Sequence, residues 1–161
     1  MRRGADDLAL LLLRLGFGLG MALAHGLPKV QALMGGDPSF PQGVAKLGFP
    51  YPLAFAWMSA LIELVGGTCV ALGLFTRPFA ALGALNMAVA AFVRHHAHHQ
   101  LLGVMGLRAF PEDVLKAWGR PEPALVYLLG FTALLLMGAG AFGLDGVLVG
   151  GNRKKPRRKY D

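Results

Sequence analysis

Two charged side chains stand inside otherwise apolar stretches of this chain: Arg14, in a run that begins near Leu8, and Glu63, in a run that begins near Leu53. A charge at membrane depth costs on the order of 3 kcal/mol or more, so such a residue normally faces other helices and finds a partner there. A buried carboxylate with a cation beside it can hold a polar ligand or carry a proton. Arg14 lies about one-third of the way up the first run from its N-terminal side and Glu63 near the middle of the second, so at about 1.5 Å per residue the two fall within one long side chain of the same depth, with Asn86 of a third run at a similar level. The expectation is a buried Arg14–Glu63 pair whose hydrogen bonds Asn86 completes. In a purely structural role the same pair would clamp two helices together.

Helical spacing supports a shared interior. At about 100° per residue, Arg14, Gly18, His25 and Lys29 fall on one face of the first run, and Ser59, Glu63, Gly66, Gly67 and Val70 on one face of the second. The small residues let another backbone approach closely. Gly16 and Gly20 form a G-x-x-x-G on nearly the opposite side of the first run, a second close contact that another subunit would fill.

The other chemically loaded segment is Arg94-His95-His96-Ala97-His98-His99. If it is helical, His95, His98 and His99 share a face, because residues three and four apart are neighbours. Imidazoles suit zinc, copper or haem iron, and Met21, Met34 and Met105 are available as soft ligands. No spacing here is diagnostic of a metal, so a polar interfacial segment is the simpler reading. Cys69 is the single cysteine, which excludes an internal disulfide and dithiol chemistry by this chain alone. Neither a G-x-S-x-G nucleophile turn nor a phosphate-binding glycine loop after a strand is present.

These residues are positioned by spans. Hydrophobic residues make up 55% of the 161-residue chain and charged residues 16%, against roughly 25% charged in soluble domains. Four apolar runs approach the ~20 residues that cross a bilayer as helix: about 8–27, stopped by Pro28; 53–75; 78–93; and 124–142. The third is short, and either tilts or continues toward Leu102. Thr76-Arg77-Pro78 is a tight turn, so the second and third spans are antiparallel neighbours. Residues 111–118 read as an amphipathic segment in the loop that follows. The fold class is an all-α integral membrane bundle of four transmembrane helices, residues 1–149, followed by a basic tail, residues 150–161.

The net charge of +7 is uneven. Arg2, Arg3, Arg77 and six tail cations flank one set of span ends, while Lys29, Lys46, Arg94, Arg108, Lys116 and Arg120 lie on the other side, several of them in a long loop. The positive-inside rule then puts both termini in the cytoplasm and the histidine run outside. Ala22-Leu23-Ala24 has the form of a signal-peptidase site, but Arg14 and several glycines interrupt the run before it, so a retained first helix is expected. Beside a membrane helix the tail is a topology signal or a contact with anionic lipid. It has no aromatic or motif context for nucleic acid.

Taken in order, several short motifs resemble the DoxX family: Leu13-Arg14-Leu15-Gly16 and His25-Gly26-x-x-Lys29; Gly48-Phe49-Pro50, Glu63-Leu64-Val65-Gly66-Gly67 and Gly73-Leu74-Phe75-Thr76-Arg77; then Glu122, Gly138-Ala139-Gly140 and Asp145. The resemblance covers residues 8–148. It implies a four-helix bundle in the bacterial cytoplasmic (inner) membrane and carries over Arg14, His25, Lys29, Glu63 and Arg77. The loop with four histidines is longer than the resemblance implies, so ligands on that side need not carry over. Family members are linked to thiosulfate:quinone oxidoreductase and to quinone-stress resistance, often as a small partner subunit; others resemble assembly factors.

The first expectation is therefore a redox-associated membrane subunit that binds a quinone or similar lipid-soluble ring within its helices and works with a partner oxidoreductase or a second copy. Arg14 and Glu63 would hold the ligand's oxygens and handle protons, with Asn86 beside them, and His25 and Lys29 would serve the outer entrance. Electrons would come from the partner, because no firm electron carrier is visible; haem or copper at His95, His98 and His99 is the weaker possibility. The second expectation is a non-catalytic scaffold or assembly factor whose polar cluster only locks the bundle. A transporter is a third.

Overall fold

A computed structural model of the chain describes residues 2–146, with side chains from Gly4 onward. The basic tail expected at 150–161 lies outside the described residues. The described residues are helical, without strands: α1 (Gly4–Met34), α2 (Ser39–Lys46), α3 (Pro52–Leu72), α4 (Thr76–Arg94), α5 (Ala97–Val104), α6 (Glu112–Trp118) and α7 (Glu122–Met137). Helices α1, α3 and α4 are each long and apolar enough to cross a membrane. A fourth candidate span is α6 and α7 taken together, which pass the same test as a pair bent by 42°. Leucines at 12, 23, 61, 85, 129 and 136 are exposed around the bundle, as lipid-facing positions are.

The first span does not stop at Pro28. Proline removes a backbone donor and its ring crowds the carbonyl four residues earlier, which would break a regular α-helix. Here the preceding turns, Gly20–Gly26, widen to π-helix, and the Leu27 N–H reaches back to the Ala22 carbonyl. The chain then continues as helix to Met34. Wider turns recur in α3 at Ile62–Gly66 and in α4 at Val89–Arg94.

Close approach follows the glycines. A Cβ at Gly18 would lie 2.6 Å from the Gly67 carbonyl oxygen and the Ala71 nitrogen, and one at Gly26 would collide with the Leu64 backbone. Gly83 accepts the Phe131 ring of α7 and Gly130 the Phe17 ring of α1. The core between the spans includes Met21, Val70, Ala80, Ala84, Phe131 and Leu134. A satellite core of Leu33, Val44, Ala56 and Ala60 fastens α2 over α1 and α3.

The start of α1 and the segment after α7 meet at one end, the terminal end, where the Ala141 N–H donates to the Asp7 carboxylate at 2.9 Å. At the far end, α4 is latched to the turn before α7. Arg94 donates to the Ala117 carbonyl, His95 Nδ1 lies 2.6 Å from the Trp118 carbonyl, and Gln100 donates to the carbonyls of His95 and Gly119. In this half α3 and α4 diverge. Residues Pro52–Leu61 pack on α2 and α1, whereas Val89–Arg94 packs on α7 and α5.

Candidate functional site

The expected Arg14–Glu63 pair does not form. Gly18 packs against Gly67 and Ala71, and Gly26 against Glu63 and Leu64. Glu63 therefore lies level with Gly26, twelve residues beyond Arg14, or about 18 Å along the axis. Arg14 instead lies level with Gly73, because the first span, at 31 residues, is longer than the second, at 21, and its Gly18–Gly26 stretch packs along Glu63–Ala71.

Glu63 instead pairs with Lys29. The ammonium donates to both carboxylate oxygens, at 2.6 and 2.7 Å, and Asn86 Nδ2 donates to Oε1 at 3.0 Å. Glu63 is 2% exposed, while the Lys29 side chain is 31% exposed, so the lysine brings its charge inward along a partly open path. Its ammonium also sits 4.9 Å from the centre of the Phe40 ring on α2. Both charges are thus neutralised and hydrogen-bonded, as buried ions require. The Asn86 expectation holds with a different cation.

This triad lies at the wall of a cavity of about 570 Å³ between α1, α3, α4 and α7, roofed by α2. That volume falls within the ordinary range for small-ligand sites. His25, Lys29, Glu63 and Asn86 all line it; Arg14 does not. Ser59, Tyr127, Arg94, His95 and Arg120 join them. Tyr127 contacts His25 edge-on, with ring centres 5.3 Å apart. Its signal in the sequence was a lone phenol within an apolar run, as informative as Asn86 was. Each π-helical stretch contributes to the wall: His25 from the first, Ile62 and Glu63 from the second, Val89, Ala90 and Arg94 from the third. Such widened turns recur at functional sites because they turn side chains out of the regular register.

Arg14 belongs to the terminal end. It is fully buried, and its three guanidinium nitrogens have no hydrogen-bond partner among the described residues. Its guanidinium fills the space that side chains on Gly73 and Gly143 would occupy, and the opposing charge acting on it is Asp145. Asp145 also caps α4, accepting from the N–H groups of Phe75 at 2.6 Å and Thr76 at 2.9 Å, while its own N–H donates to the Gly73 carbonyl. Arg77 donates to the Leu136 carbonyl.

The histidine run is not one helical face. The helix ends at Arg94, His96 takes a left-handed conformation at φ 49°, and α5 begins at Ala97. His95 is bonded to Trp118, while His96 and His99 pack against the Trp118 ring and His98 against His99. His95, His98 and His99 therefore do not form the metal-binding face expected of a continuous helix, and no group of three His, Cys, Asp or Glu side chains among the described residues is placed to hold a metal. Burial in this aromatic cluster pushes the His99 imidazole below its ordinary range, with the charges of His98, Arg108 and His96 adding to the effect.

With this geometry in hand, comparison with known proteins gives a consistent result. A family model described as DoxX matches residues 9–96. The uncharacterized membrane protein Rv3486 of Mycobacterium tuberculosis is 32% identical over 119 residues, covering 72% of this chain and 69% of that protein. The inner membrane protein YphA of Escherichia coli is 29% identical over 123 residues, covering 76% and 79%. No solved structure matches the chain.

Proposed function

Because this chain belongs to the DoxX family and is a multi-pass protein of the bacterial inner-membrane kind, we propose that it is a redox-associated membrane subunit that binds a quinone or similar lipid-soluble ring in the far-half cavity. One observation carries this reading: an apolar cavity between the spans ends in a convergent set of donors and one acid, Lys29, Asn86 and Glu63, with His25 and Tyr127 beside them. Ring oxygens accept hydrogen bonds, and the lysine, amide and phenol groups supply donors. When bound, a quinone supplies two-electron, two-proton acceptor chemistry, and a partner oxidoreductase delivers the electrons. Glu63 and His25 are the groups here that hold or release a proton near a ring oxygen. Lys29 neutralises the Glu63 carboxylate in the cavity wall.

The test is extractable quinone in the detergent-purified protein. Wild type is expected to retain it, and Glu63→Ala and Lys29→Ala to lose most of it; unchanged content in both variants sinks the proposal. The scaffold reading draws on a different observation. Arg14, Gly73, Arg77, Gly138 and Asp145 all gather at the terminal end in packing and capping roles, and Gly16 faces an open groove with Leu12 and Val126. Capture of one stoichiometric partner with no extractable quinone favours that reading.

A further inference from the structure

The charges around the cavity do not balance. Of its lining residues, Lys29, Arg94 and Arg120 are cationic and Glu63 is the single acid. Lys29 and Glu63 neutralise each other, which leaves two arginines. Arg94 is anchored by the Ala117 carbonyl and His95 by Trp118, so the latch brings the end of α4 against the turn that carries Arg120. Both arginines are exposed at this rim, and Arg120 has no side-chain partner among the described residues. Below the rim, where α3 and α4 diverge, the cavity wall consists of Met58, Ile62, Leu82, Leu85 and Val89. Met58, Leu82 and Leu85 are 49%, 42% and 65% exposed, so this side opens toward lipid.

A cationic rim above an apolar lateral gap fits an amphiphile with an acidic head. We propose that the gap between α3 and α4 admits an anionic phospholipid from the leaflet at the far end, its phosphate held by Arg120 and Arg94 and its chain lying along Met58 and Leu85. This goes beyond the ring ligand proposed at Glu63 and stands or falls separately.

The full chain would be reconstituted in phosphatidylcholine vesicles doped with phosphatidylglycerol and re-extracted, and the lipid that co-purifies measured along with extractable quinone. Wild type should be enriched in phosphatidylglycerol over the starting mixture. Arg120→Gln, which leaves the latch in place, should reduce the enrichment roughly fivefold, and Arg120→Glu should abolish it. Arg94→Gln, with thermal melting to verify its fold, should act in the same direction. The absence of enrichment in wild type, or wild-type enrichment retained in both Arg120→Gln and Arg120→Glu, overturns the proposal. So does full displacement by inorganic phosphate at constant ionic strength, which would assign the rim to a soluble anion. Quinone lost from Glu63→Ala while the lipid preference persists separates the two sites.

Discussion

Arg14 and Glu63 are both sealed from solvent, yet the two halves of the bundle treat them differently. In the terminal half the spans are regular α-helix, joined by glycine turns and capped by Asp145, and Arg14 packs against glycines without a hydrogen bond among the described residues. In the far half three spans widen into π-helical turns and two diverge, and Glu63 receives three hydrogen bonds at the edge of a cavity. The difference teaches that a charge inside a membrane bundle is not by itself a site. What marks a site is the convergence of further polar groups on an open volume, and only Glu63 has that.

The contrast can be broken most severely at Lys29. Lys29→Met strands the Glu63 carboxylate in an apolar wall, and losing one partner of a buried pair costs about 3–5 kcal/mol. Thermal unfolding in detergent should register that loss, and adding Glu63→Gln should restore much of it. A smaller effect is expected at the terminal end. Asp145→Ala removes two cap hydrogen bonds from α4, a loss of about 1–2 kcal/mol, while quinone content stays at the wild-type level. If Asp145→Ala empties the cavity of ligand, the two halves are coupled and the contrast fails.

The smallest effect concerns pH. Because His99 is held below the ordinary histidine value of 6.5, the unfolded chain takes up its proton first as the pH falls. The stability His99 contributes is therefore complete above about pH 6.5 and is lost as the pH drops through that value toward the lower folded one. Hydrogen exchange in α5 and α6 should quicken over that window, and His99→Phe should flatten the change.

Much of this was legible in the sequence. Four apolar runs identified the spans, and Arg14, Glu63, Asn86, His25 and Lys29 were each recognisable as polar residues in or beside them. The partnership was not legible, because a π-helical stretch lets Pro28 sit inside α1. That places Lys29 on the span rather than in a loop, while Arg14 packs at Gly73 in the terminal end. The break at His96 was hidden for a similar reason: its left-handed backbone, with the latch to Trp118, overrides a sequence that reads as continuous helix. Tyr127 and Arg120 enter the site through the packing of α7 on α1 and α4, a long-range contact that local spacing does not encode.

The central claim, that Glu63 works with Lys29 at a ligand cavity and apart from Arg14, is tested most directly by two double-mutant cycles on thermal stability. One pairs Lys29→Met with Glu63→Gln, the other Arg14→Met with Glu63→Gln. The account predicts a coupling above about 1 kcal/mol in the first cycle and additivity within about 0.5 kcal/mol in the second. Additivity for Lys29 and Glu63 together with strong coupling for Arg14 and Glu63 would contradict it.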